Sequence, residues 1–140
     1  MKKKFMTAGI ILIIILSITC GYSVFNDFFP KASQIICPNI ESVFSATVTY
    51  NDDNTFIISN SDFEKLIFNI NNAKPTRKQS LNDNPTIKTY YAIEIKTFSN
   101  KYHYFVYEEG SQVYIEIPYE GIYRSDYPIL DVIMKYDDKK

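Results

Sequence analysis

The chain has 140 residues; once its first stretch is set aside for a membrane or export role about 115 remain, which suits one compact domain and excludes a second. Hydrophobic residues make up 46% and charged residues 22%, with 4 Gly and 6 Pro, the composition of a folding chain and not of a disordered or collagen-like one. The net charge of −1 conceals an asymmetry, because Lys2, Lys3 and Lys4 precede the first acid, Asp27, and the remainder carries −4. A domain of that sign gains no broad counterion release on DNA or RNA, which argues against nucleic acid as a partner, and anionic lipid heads are disfavoured likewise.

Phe5 to Asn26 are 22 positions without a charge, long enough as a helix to cross a hydrocarbon core of about 30 Å. Lysines on one flank and Asp27 on the other predict a cytoplasmic N-terminus and an extracytoplasmic remainder. The same features describe a signal peptide, cleaved after small residues near Thr19 to Gly21 or Ser17 to Thr19. A third reading is lipidation of Cys20, which ends the apolar run, although Ser17 and Thr19 fit a lipobox only loosely; otherwise Cys20 is a small apolar residue inside a spanning helix, the ordinary reading. Residues 1–26 are thus expected as anchor or signal and residues 27–41, with two Pro and no period, as a linker that includes Cys37. Cys20 and Cys37 are not expected to pair.

The domain is expected over residues 42–140. SVFSATVTY and TFIIS, joined by Asn51 to Asn54, read as a hairpin with Phe44, Ala46, Val48 and Tyr50 on one face. Ser61 and Glu64 form a capping-box pattern ahead of Phe63, Leu66, Ile67 and Ile70 at helical spacing, which predicts a helix over 62–72 ended before Pro75. A polar loop runs to Thr86. Three strands then follow within 87–98, 101–109 and 112–118 as a meander with one apolar and one wet face, and a short helix is expected over 126–136. The order is ββαβββα, an α+β domain with about five antiparallel strands packed by one main helix.

Catalytic signatures are missing from the chain. One His, His103, and two separated Cys cannot supply the ligands of a zinc site; no P-loop, dinucleotide fingerprint or G-x-S-x-G elbow occurs, and no cofactor is implied. His103 lies inside a predicted strand, where a sheet-face histidine is the ordinary reading. Glu108–Glu109 and Asp52–Asp53 adjoin turns, where solvated acids are common.

Two stretches stand out. In the loop from Lys74 to Pro85, the Arg77 guanidinium beside Lys78 has the donor geometry for a carboxylate or phosphate, while Ser80, Asn82 and Asp83 suit turn hydrogen bonds equally. In YIEIPYEGIY, Pro118 and Gly121 bracket a bend whose Tyr119 and Tyr123 either form an aromatic surface for a partner or pack into the core.

These stretches, AKPTRKQSLNDNP at 73–85 and YIEIPYEGIYR at 114–124, with the YYAIEIK and YFVYE strands between them, resemble an uncharacterised family of small exported domains of Gram-positive bacteria, catalogued as a domain of unknown function. The likeness covers about 80 residues, Val48 to Arg124, and departs at Ile117, where a polar residue is expected before Pro-Tyr. The resemblance implies an N-terminal anchor or signal and a relation to domains attached to membrane sensor peptidases of the beta-lactam-receptor type. It implies no reaction, and the H-E-x-x-H helix of such peptidases is absent from this chain. The expectation is a non-catalytic, membrane-tethered extracytoplasmic module that binds an envelope peptide or protein through Arg77, Lys78, Tyr119 and Tyr123. Its rivals are a secreted or lipid-anchored accessory subunit without a ligand and a hydrolase using exposed carboxylates.

Overall fold

A computed structural model describes residues 2–51 and 53–137, with side chains from Gly9 onward. The chain divides into two compact units, one ending at Lys31 and the other beginning at Ala32. In the first, α1 (Lys2–Phe28) is a continuous helix whose side chains from Gly9 are almost all exposed. Its segment Gly9–Phe28, 20 residues, is long and apolar enough to cross a membrane, a test that a signal sequence passes as well. Ser17 Oγ donates to the Ile13 carbonyl at 2.9 Å and Thr19 Oγ1 to that of Ile15 at 3.0 Å, so these hydroxyls are satisfied within the helix. Cys20 is an exposed residue in mid-helix.

The second unit is an α+β domain built on one seven-stranded antiparallel sheet. Its strands are β1 (Val43–Tyr50), β2 (Asn54–Ile57), β3 (Lys74–Pro75), β4 (Tyr91–Thr97), β5 (Lys101–Glu109), β6 (Gln112–Ile117) and β7 (Gly121–Ser125), in the order β2-β1-β4-β5-β6-β7-β3. Two helices, α2 (Asn60–Asn71) and α3 (Ile129–Asp137), pack on one face. Ala46, Val48, Ile93, Ile95, Val106 and Ile115 alternate along their strands toward Leu66 and Ile70 of α2 and Ile129 and Ile133 of α3, and all are buried.

Several sequence expectations change in detail. Five strands become seven: β7 is five residues long and opens on a glycine, and β3 is two residues with a proline, too short for periodicity to register. Pro75 is tolerated because β3 is an edge strand. Phe44 does not join Ala46 and Val48 inside, because the register against β4 breaks between Val43 and Ser45 and leaves its ring exposed. The N-cap of α2 is Ser59 and not Ser61, so the expected Ser61–Glu64 capping box is not the start of the helix. Ser59 Oγ contacts Ser61 Oγ at 2.8 Å and the Tyr136 hydroxyl at 2.6 Å, which draws the first turn of α2 onto α3.

The expected linker is in large part domain. Ile35 is buried, Ala32, Cys37 and Ile40 pack against the same core, and the Ala32 amide donates to the Thr76 carbonyl at 3.1 Å. Cys37 Sγ lies 3.9 Å from the Ile67 carbonyl, and burial pushes its thiol up to about 11, so it is an inert packing residue.

Candidate functional site

The two distinctive stretches meet. After β3, Thr76 donates its amide to the Ile122 carbonyl at 3.1 Å, and the Ile122 amide donates to the Lys78 carbonyl at 3.2 Å, so residues 76–78 extend the pairing with β7. The chain then folds over the sheet face opposite the helices. Ile87 and Tyr90 settle on Ala92, Phe105, Tyr107 and Tyr114, with the Tyr90 and Phe105 rings edge to face at 5.4 Å. Ser80 is buried beneath this loop and donates to Glu116 Oε1 at 2.7 Å, while Tyr107 donates to Glu116 Oε2 at 3.1 Å. A buried carboxylate whose two oxygens each accept a hydroxyl fixes the loop to β6, and burial with the neighbouring Glu116 charge raises the Tyr107 hydroxyl well above its ordinary range.

Beyond Ile117 the chain reverses. The Glu120 amide donates to the Ile117 carbonyl at 3.1 Å, Pro118 occupies the second position of the turn, and Tyr119 has φ of 62°, the pattern of a type II turn. That backbone lifts the Tyr119 ring into solvent, 65% exposed, where its hydroxyl donates to Asp83 Oδ1 at 2.8 Å; this bond raises the Tyr119 hydroxyl and ties the loop tip to the bend. The next residue is tightly placed: a Cβ on Gly121 would stand 2.5 Å from Ala32 Cβ, and its φ of 156° is one that L side chains rarely adopt.

Tyr123 is corrected. It is fully buried on the core face of β7, burial raises its hydroxyl, and it presents no surface to a partner. Alternation explains this, since Tyr123 faces inward as Ile122 and Arg124 face outward. Lys78 is exposed and pairs with Glu109, its ammonium 4.4 Å from the Tyr114 ring centroid; the Glu109 bond raises its pKa. It borders a cleft under the loop of about 370 Å³ that also includes Glu109 and Glu116, so the surroundings of Lys78 are acidic and ill suited to an anion. Arg77, half-buried, belongs to the segment paired with β7.

The more open cavity, about 570 Å³, lies where β6 ends and β5 continues past it. Phe105 pairs with Glu116, but no β6 residue stands opposite Lys101 to His103, and the notch is bounded by those residues, Asp83, Asn84, Pro118 and Glu120. Lys101 and His103 flank Glu94 on the adjacent strand at 4.0 and 3.7 Å, and Lys96, at 2.8 Å, holds the Glu94 carboxyl below its ordinary range. The cavity therefore offers basic groups on one wall, carboxylates on the other and strand backbone between them. Sequence reading passed over Lys101, Asn84 and Glu120; Asp83 and Glu120 lay inside the two stretches singled out, yet nothing in their spacing shows that the loop and the bend converge. Among the described residues no group of three or more His, Cys, Asp or Glu is placed to hold a metal ion.

An antiparallel sheet backed by two helices, with an ordered polar loop over its other face, defines the class of small α+β domain to which the comparisons point. Residues 31–124 match the DUF5301 family, described as "Domain of unknown function (DUF5300)", and the chain belongs to this family. It is also similar to a protein from Ruminococcus gnavus solved by NMR, with 31% identity and a TM-score of 0.60 over 71% of this chain and 99% of that one. No curated protein matches it.

Proposed function

We propose that the protein is a membrane-tethered extracytoplasmic binding module that works without catalysis, and that its ligand-binding element is the notch between the start of β5, the Asp83 loop and the Pro118–Glu120 turn. The observation that carries this reading is the Tyr119–Asp83 bond, which closes two segments far apart in sequence around a cavity of about 570 Å³. A notch with Lys101 and His103 on one side and Asp83 and Glu120 on the other suits an extended peptide carrying both charge signs, an envelope peptide or a segment of a neighbouring membrane protein. The apolar helix supports the tether, and the family resemblance favours the Gram-positive envelope and an accessory role beside sensor peptidases.

The test is site-specific photo-crosslinking in intact cells, with the crosslinker at Glu120 in the notch and, as a control, at Gln112, the exposed first residue of β6 at its other end. A defined adduct at Glu120 that is absent at Gln112 and disappears with Tyr119→Ala is the expected result. Identical adducts at both positions would overturn it.

A further inference from the structure

Exposed aromatic rings of the domain meet in two places, Phe68 of α2 with Tyr127 and Phe44 with Phe98. The β4–β5 turn, the β6–β7 turn and the start of β1 lie at one end of the sheet, as the pairings Val43 with Thr97, Lys96 with Lys101 and Ile117 with Gly121 require. At that end Phe98 is 87% exposed, Ile36 83% and Phe44 52%, with the Phe44 and Phe98 rings 5.7 Å apart and Ile36 bordering the notch with Pro118. Isolated exposed apolar residues are ordinary; two rings in contact form a small patch, and Ile36 adds a separate exposed apolar side chain at the same end.

Ala32, against Gly121, is at the same end. Three residues, Phe29 to Lys31, separate it from the last residue of α1, and a fully extended chain of that length reaches about 14 Å at most. The headgroup layer on each side of a bilayer is about 5 to 8 Å deep. The chain length alone keeps Ala32 within about two such layers of the end of an inserted helix.

We propose that this end of the domain rests on the lipid surface, with Phe98, Phe44 and Ile36 in the interfacial layer. The inference depends on the reading of α1 as a retained anchor. Phe and Ile side chains bury apolar surface at the boundary of headgroups and acyl chains, where the backbone beside them stays hydrated. Of the charged residues bordering the notch, Asp83 and Glu120 outnumber Lys101, so the contact is apolar and draws on neither anionic lipid nor low salt. The notch then opens beside the headgroups, and its peptide is a juxtamembrane one.

The chain contains no Trp, so one introduced indole reports alone. Full-length protein carrying Phe98→Trp, and separately Gln112→Trp as an exposed site at the far end of β6, is reconstituted into phosphatidylcholine vesicles with and without brominated acyl chains. The expected result is at least about twofold quenching and a blue-shifted emission at position 98, unchanged in 1 M salt, with neither at position 112. If the protein floats with the vesicles but the indole at 98 emits as in water, the proposal falls and the anchor stands. A blue shift without bromine quenching, reversed on dilution, means that a second copy covers the patch and also overturns it. If the protein does not float, the anchor reading fails and takes the proposal with it.

Discussion

Lys135 near the end of α3 donates to Asp62 Oδ2 at 2.6 Å, while Tyr136, the next residue, donates to the same oxygen at 2.5 Å. Asp62 is buried in the first turn of α2, where a carboxylate also faces the positive end of the helix dipole. Chiefly through the bonds from Lys135 and Tyr136, its pKa falls from 3.8 to about 2. The folded form holds the proton less tightly than the unfolded one, so this contribution to stability is complete above pH ~4 and is lost as pH falls toward ~2. Denaturation midpoints measured between pH 5 and pH 2 should drop, and Asp62→Asn should flatten that part of the profile. A wild-type slope retained in the variant would contradict the assignment.

The close approach of Gly121 to Ala32 makes a reciprocal prediction. Gly121→Ala places a methyl group 2.5 Å from Ala32 Cβ and should destabilise by about 1 to 3 kcal/mol. Adding Ala32→Gly should recover part of the loss in urea denaturation. Equal midpoints for the single and double variants would mean that backbone strain, and not the contact, sets the cost.

Leu66, fully buried between α2 and the sheet, should cost about 2 to 5 kcal/mol on truncation to Ala. Ser61→Ala, one position inside the first turn, should stay within about 0.5 kcal/mol. Ser59→Ala should exceed it, because Ser59 contacts both Ser61 and Tyr136. The order of the three unfolding midpoints checks the placement of the helix start.

Removing the hydroxyl in Tyr119→Phe should leave the global melting temperature nearly unchanged, since the ring is solvent-exposed, yet loosen the loop tip held at Asp83. Amide exchange at residues 81–86 should quicken several-fold while β5 and β6 stay protected. Uniform protection across the loop would show that Ser80 and Glu116 hold it unaided.

Much of the domain is legible from side-chain period: the alternation in β4 and β6 and the Phe63/Leu66/Ile70 stripe identify which faces are buried. Pairing order is less legible, because β3 and β7 are held by chain reversal and by the Thr76 and Ile122 bonds, which no short-range pattern encodes. Tyr119 and Tyr123 show the limit most plainly. They are four residues apart and identical in chemistry, and they part because a proline turn with positive φ throws one outward and strand alternation carries the other in.

The seat of Ala32 on Gly121 also orders events in time. The first residue of the domain to follow the helix finds its place only against a glycine that opens the seventh strand, with nearly the whole domain between them. A chain synthesised from its N-terminus must therefore complete β7 before its own beginning can lock, so the hairpins of β4 to β7 close before the segment that follows the helix.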